Sequence, residues 1–391
     1  MSAQYKFNCR LGTISQALNW RTPSGKIVSY EPYIREMRVW AGLFKQVDIF
    51  APLSTEEIRV TVSEYGFSNI EFDFVSYSHR ISIRSTLHRL VQLPIALFKL
   101  FRFILKHDVI LIRSPSHFGL FAHIFVFLLG KKSITKYAGF FSRFEGERIP
   151  SIIERNFIEK VIGPPHYVLV YGPSKGNHLI PFIPAAISHA EIRQLKSLRL
   201  TRAGAGDKLV LFTLGKLMTV KGYDLPIRAL GLLYQDHPEL DWELHLIGDG
   251  VMLGDLQKLC VDLRIEDRVI FEGKLSYLDA MKKLTTADIV LMPGTKEGWP
   301  KVIIEGWAVG AVPVVVEAGI SGQIIQHGMN GFLFQPNPEA LKEVLLNIFG
   351  NIESLNEIRG KGWTEVERFS LEQFSKGVQE ICQTNLGLKL N

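Results

Sequence analysis

Two short stretches hold residues whose types and spacing could do chemistry on a phosphate. In LFTLGKLMTVKGYDLPIRAL (211–230) an apolar run ends at Gly215, and the cations Lys216 and Lys221 follow within one loop. Lysines placed just beyond a strand can neutralise a diphosphate, and doubly wound sheets bind ligands at their C-terminal strand edges. In KEGWPKVIIEGWAVGAVPVV (296–315) the run DIVLMPG (288–294) leads into Glu297-Gly298-Trp299-Pro300 and a helical pattern carrying Glu305. Pro300 suits the first turn of a helix, where a missing N–H costs nothing. The open amides and positive dipole end of that helix make a phosphate site. Gly298 lets the main chain approach a ligand closely. The carboxylates Glu297 and Glu305 could hold two sets of sugar hydroxyls. Taken singly, each stretch also fits a plainer reading, a solvated basic loop or an ordinary strand–loop–helix with surface glutamates.

These residues need elements to hold them, and the pattern supplies two series. Apolar β-branched runs at 47–52, 70–78, 108–114, 133–139 and 167–173 alternate with helical patterns at 85–107, 117–129 and 152–162. A second series has strands at 208–215, 242–248, 268–273, 288–294 and 312–318, with helices at 224–236, 252–263, 277–285 and 301–309 between them. Helices then fill 338–367 and 371–385. Such alternation means βαβ units and parallel sheets. The polar, basic segment 185–207, ending Gly-Ala-Gly, is the best linker.

Length and composition agree with that reading. The chain has 391 residues, 47% hydrophobic and 21% charged, which is enough for two cores. Its net charge of +6 suits anionic ligands or surfaces. Cys9, Cys260 and Cys382 are scattered and odd in number, so neither a disulfide framework nor a zinc site is indicated, and a reducing compartment fits. The N-terminal sequence lacks the apolar core of a signal peptide, and no run approaches the roughly 20 apolar residues of a spanning helix.

Together the two stretches resemble the family 4 glycosyltransferases. The G-[RK]-L-x3-K-G signature of that family matches Gly215-Lys216-Leu217 and Lys221-Gly222, and its E-x7-E signature matches Glu297 and Glu305. LIGDG (246–250), IFEGKLS (270–276) and HGMNGFLF (327–334) match as well. The resemblance covers about 205–350 and implies a GT-B fold, an α/β architecture of two facing doubly wound Rossmann-like domains with an inter-domain cleft. The domains would be 1–190 for the acceptor and 205–365 for the donor, with a helix at 366–391 crossing back. The resemblance implies a retaining, metal-independent transfer from a nucleotide-diphosphate sugar (UDP- or GDP-sugar), with no cofactor. Lys216 and Lys221 would hold the diphosphate beside Gly215, aided by amides near Val302 and Ile303. Glu297 and the Gly298-Trp299-Pro300 main chain would meet the donor sugar. Glu305 would bind the ribose, and Lys274 and Leu275 would border the base. Lysine stands at 216 where arginine is commoner, and Trp-Pro at 299–300 where Phe-Gly is commoner, which leaves the sugar undetermined.

Other readings compete. Gly248-Asp249-Gly250 after a strand, with Glu272 closing the next strand, partly matches a nicotinamide-dinucleotide fingerprint, but its third glycine is displaced to Gly254. An epimerase, a phosphorylase or a non-catalytic subunit would share the fold. In the N-terminal half, the Ser24-Gly25 pair would give a mobile loop on the acceptor side. His117 and Tyr137 would stand at strand C-termini there. Residues 75–107 hold no Asp or Glu but six Lys or Arg residues, so the helix within them could lie on an anionic bilayer surface. The alternative is a packed helix with a solvated basic face. The whole points to a cytoplasmic enzyme, peripheral on the inner face of the cytoplasmic membrane, that glycosylates a lipid-linked or polysaccharide acceptor and binds no nucleic acid.

Overall fold

Strands such as β7 are buried along nearly their whole length, as the near-continuous apolar run VILIRS requires of a parallel sheet covered on both faces. The computed structural model describes residues 5–391 except 59–61, 77–82, 140, 142–146, 148, 173, 184–186, 201–207 and 296–298. For residues 76, 83–92 and 200 it describes the main chain alone. Two units emerge, Met1–Pro184 with Phe374–Asn391, and Ala185–Gln373.

The first unit runs β1 (Phe7–Ile14), β2 (Asn19–Arg21), β3 (Ile27–Tyr30), α1 (Glu31–Leu43), β4 (Phe44–Leu53), β5 (Val62–Glu64), β6 (Ile70–Ser76), α2 (Ile83–Lys106), β7 (Val109–Ser114), α3 (Gly119–Leu128), β8 (Lys132–Tyr137), α4 (Ile149–Lys160), β9 (His166–Val170) and β10 (Leu179–Pro181). Strands β10-β9-β8-β7-β1-β4 form a parallel run with β6 beside β4, and β2-β3-β5 continue from the end of β4 as an antiparallel ribbon. The central strand β1 is absent from the sequence reading above, which starts its strands at residue 47. The Ser24-Gly25 pair lies in the tight turn of the β2–β3 hairpin: Thr22 and Lys26 pair across it, and Gly25 adopts φ +83.

The second unit runs α5 (His189–Leu200), β11 (Leu209–Leu214), α6 (Asp224–Asp236), β12 (Trp242–Ile247), α7 (Leu253–Asp262), β13 (Val269–Gly273), α8 (Tyr277–Leu284), β14 (Ile289–Met292), α9 (Lys301–Val309), β15 (Val312–Val316), α10 (Ser321–Ile324), β16 (Phe332–Phe334), α11 (Pro338–Gly350) and α12 (Ser354–Glu365). Its sheet is parallel throughout, in the order β13-β12-β11-β14-β15-β16. Helix α5 corrects the linker expectation. Ile192 and Leu195 are buried in the core with α9, and Arg199 donates to the carbonyls of Thr285 and Ala287 at 2.9 and 2.6 Å and to Asp288 at 2.7 Å. Two buried positions among lysines and arginines are too sparse a stripe to read as amphipathic.

The last helix, α13 (Leu371–Thr384), joins the first unit from Phe374 on. Phe374, Val378, Ile381 and Cys382 form its buried stripe, and the Phe374 ring meets Trp40 at 6.4 Å and Phe182 at 5.2 Å. Beneath it lies a buried charge cluster. Glu36 of α1 accepts from Arg113 at 2.7 Å and from Lys136, whose ammonium also lies 5.4 Å over the Phe374 ring. Burial alone would raise the Glu36 carboxyl, but the charges and hydrogen bonds of Arg113 and Lys136 outweigh it and hold it at about 2. A carboxyl depressed in the folded state stabilises above its unfolded value and loses that contribution as pH falls through the folded value. Here that is about 3 kcal/mol at neutral pH, lost between roughly pH 5 and 2. Glu36→Gln strands two buried cations and should cost about 3–5 kcal/mol in denaturant titrations. The variant should also flatten the acid limb of stability against pH; an unchanged acid limb would dismiss Glu36 as its source.

Candidate phosphate-loop site

In the second unit, four strand-end loops lie side by side, because β13, β12, β11 and β14 are neighbours. In that order they carry Lys274 and Leu275, then Gly248-Asp249-Gly250, then Lys216 and Lys221, then Trp299 and Pro300. Sequence-distant candidates are thereby brought to one sheet edge. Glu297 and Gly298 lie outside the described residues.

The lysine loop is held by its main chain. Gly215 (φ +137) donates to Ile247 O at 2.9 Å, Leu217 N donates to Asp249 O at 3.0 Å, and Met252 N returns a bond to Leu217 O at 3.2 Å. Leu217 is buried in the core, while Gly215 and Lys216 on its N-terminal side are exposed. Lys221 closes a single 3-10 turn (Thr219–Lys221) that ends at Gly222 in the left-handed region. Behind the loop, Tyr223 donates to Leu214 O at 3.1 Å.

The glycines of LIGDG make this approach possible. A Cβ on Gly248 would lie 1.9 Å from Gly215 O, and one on Gly250 would lie 2.2 Å from Leu217 O. The space before these glycines is therefore filled by the chain's own 215–217 main chain. A dinucleotide fingerprint needs that space open for a pyrophosphate, so the nicotinamide reading loses its support.

Helix α9 faces the same edge. Pro300 is its N-cap, one position before the first helical residue. Ile303 is buried and its amide donates to Pro300 O at 3.1 Å, so the first turn is already tightened around that amide; Val302 is half-buried. Glu305 is half-buried on the same helix. The Trp299 ring packs 5.9 Å from Phe369, turned towards the core. Gly306 seats α9 on the sheet, since a Cβ there would meet Val290 Cγ1 at 2.4 Å, and Trp307 Nε1 donates to Asn330 O at 2.7 Å. That clasp explains the Asn-Gly of HGMNGFLF, where Asn330 also accepts from Gln326 N at 2.8 Å and donates to Ile324 O at 3.1 Å. Its signal was visible in the sequence, its purpose was not.

Lys274 is exposed just past β13, after Gly273 at φ +67, and Leu275 packs partly into the core. Glu272, two residues before Lys274, takes His245 Nδ1 at 2.6 Å and Lys283 at 2.7 Å. His245 stacks on Phe212 at 4.4 Å, and its Nε2 lies 2.8 Å from Glu243. Burial opposes ionisation of both carboxyls, yet Lys283 and His245 hold Glu272 low, and Lys208 and His245 hold Glu243 low. This ladder steadies the strand ends next to Lys274, and no motif announces it.

In the first unit, His117 is exposed on the loop after β7, and Tyr137 ends the adjacent β8. Tyr137 is buried against Phe141 at 5.0 Å. Burial, then the charges of Glu154 and Glu147, push its hydroxyl up to about 12. Gly25 sits apart from both, on the hairpin beyond β4.

A backbone shift of about 1 Å at a binding loop costs on the order of 10²-fold. Gly250→Ala should weaken binding of a nucleoside diphosphate by about that factor in calorimetry. Gly254→Ala, with no neighbouring atom within 4 Å of its Cβ, is the control. Equal affinities in the two variants would refute the bracing role.

Comparison with known proteins agrees with this geometry. Residues 201–362 match the family described as glycosyl transferases group 1. An uncharacterised glycosyltransferase of Methanocaldococcus jannaschii is 34% identical over 137 residues, 34% of each chain. The GDP-mannose-dependent alpha-(1-6)-phosphatidylinositol monomannoside mannosyltransferase of Mycolicibacterium smegmatis is 32% identical over 170 residues, 40% of this chain and 41% of that one. The chain spans about a third to a half of the length of the curated relatives it matches. The crystal structure of Anabaena HepE with UDP and glucose has a TM-score of 0.68 over 95% of this chain and 99% of that one, at 16% identity, a likeness of fold. The braced lysine loop, the two parallel sheets and these likenesses converge on a GT-B fold whose residues 201–362 resemble the glycosyl transferases group 1.

Proposed function

We propose that the protein is a retaining, metal-independent hexosyltransferase of family 4, which moves a sugar from a UDP- or GDP-sugar to a hydroxyl of a lipid-linked or polysaccharide glycan. The observation that carries this is the lysine loop: two cations on a main chain braced by Gly248 and Gly250, beside the first turn of α9. Residues 205–365 would hold the donor, 1–190 the acceptor, and 366–391 return to the acceptor domain. The enzyme would work in the cytoplasm, at the inner face of the membrane.

In the reaction the acceptor oxygen bonds to the anomeric carbon and the bond to the diphosphate breaks. The acceptor proton leaves with the departing diphosphate. Charge building on that diphosphate meets Lys216 and Lys221, and fixed charges aimed at developing charge are a large catalytic term. Glu297 would orient the donor sugar, with Gly298, Trp299 and Pro300 lending main chain. Glu305 would take the ribose hydroxyls, and Lys274 and Leu275 would flank the base. Gly25, His117 and Tyr137 would belong to the acceptor side, Tyr137 chiefly by packing. The UDP and glucose bound by HepE and the GDP-mannose of the mannosyltransferase favour this donor class.

Lys221→Ala and Glu297→Gln should each cut transfer by about 10²-fold, and the double variant should lose less than the product of the two. Near-normal transfer in both single variants would overturn the donor assignment. Transfer should persist in excess EDTA, and the product anomer, read by NMR coupling, should match the donor's. Loss on chelation restored by Mg²⁺ or Mn²⁺ would remove the metal-independent mechanism, and inversion would remove the family 4 reading. Release of free sugar phosphate or an epimerised donor would mark a phosphorylase or an epimerase.

A further inference from the structure

The outer face of α2 is mixed in a way the sequence reading missed. Ile95, Phe98, Lys99, Arg102, Leu105 and Lys106 are all exposed, while Leu100, Phe103 and Ile104 turn inward. At about 100° per residue the exposed six form one stripe. Phe98 is 60% exposed, and the Arg102 guanidinium lies 5.9 Å over its ring. Helix α3 packs alongside through Phe101 and Phe125, whose rings are 5.5 Å apart. Lys131 donates to Leu105 O and His107 O at 2.9 Å, so the end of α3 adjoins that of α2. There Phe127 and Leu128 are 44% and 71% exposed. Glu71 approaches Lys106 at 3.8 Å, and 75–107 itself has no acidic residue.

Cations beside exposed aromatic and aliphatic side chains fit an anionic bilayer, which attracts the charges and admits the apolar groups to the headgroup–acyl boundary. Among the described residues no helix is long and apolar enough to cross a membrane. We infer that the α2 stripe and the C-terminal turn of α3 together form a docking surface for an anionic lipid bilayer, held by shallow insertion of Phe98 and Leu128 as well as by charge. This deepens the reading of a membrane-side enzyme, and its test is separate from the donor chemistry. Both helix ends lead into the starts of β7 and β8, away from the strand ends that carry His117 and Tyr137.

The test is co-sedimentation of the intact protein with phosphatidylglycerol-containing and pure phosphatidylcholine vesicles, at low salt and at 1 M salt. The wild type should pellet with anionic vesicles at low salt and keep a measurable bound fraction at 1 M, where screening reaches about 3 Å. K99Q/R102Q/K106Q should lower low-salt partitioning by about 10²-fold, since each cation is worth about 1 kcal/mol. F98S/L128S should remove the fraction that survives 1 M salt. Both variants should keep donor turnover, measured as nucleotide release, and wild-type circular dichroism. No binding of the wild type at low salt overturns the inference, and complete loss at 1 M overturns insertion. A concentration-dependent dimer abolished by F98S/L128S would assign the face to a second copy and overturn it too. Vesicle binding without nucleotide-sugar turnover would leave the surface standing and remove the enzymatic reading.

Discussion

The strand-end edge of the second unit depends on one close main-chain contact, the seating of residues 215–217 against 248–250. Lysine side chains are long and lose rotamer freedom when they bind. A lysine-based phosphate site therefore gains most from a rigid backbone, which leaves only the side chains to order. Three main-chain hydrogen bonds and two glycines without room for a Cβ supply that rigidity. Leu217, buried between the two lysines in sequence, adds an apolar anchor that points away from them.

The same principle governs α9. Its first turn must be placed against the loop, and the helix is located by close fits on several sides. Gly306 allows contact with Val290 on β14, and Gly362 allows contact with Trp307, whose indole reaches Asn330 O. Such contacts fix a helix better than a fluid apolar face would, because packed interiors tolerate little displacement. The placement of this first turn is thus a by-product of glycine and tryptophan packing farther along the helix.

This division explains what could be read in advance. Alternating apolar runs reveal a doubly wound sheet directly, and most strands of the second unit fall where the pattern puts them. The lysine loop and LIGDG are legible because each constraint is local: a glycine at a fixed offset from a strand end. The linker reading failed at α5 because Arg199 works by capping carbonyls of Thr285 and Ala287, a role indistinguishable in sequence from a solvated arginine. The Glu36–Arg113–Lys136 cluster was invisible for a related reason. Glu36 is 77 and 100 residues from Arg113 and Lys136; the β7–β8 register sets the two cations side by side, and α1 brings the carboxylate to them.

The first unit is the harder half to read. One of its polar networks centres on a buried side chain. Glu154 of α4, fully within the core, accepts from Ser114 Oγ at 2.6 Å and Ser116 N at 3.2 Å, and Gly119 is required because a Cβ there would meet that carboxylate at 2.0 Å. One buried carboxylate thus shapes the turn that presents His117. A network of this sort can be rebuilt with other residues while the sheet is kept, whereas the contact at 215–217 cannot lose a glycine without moving the lysines. Under the proposed roles, a fold that keeps one diphosphate site while its other substrate varies would gain most from main-chain constraints at the first.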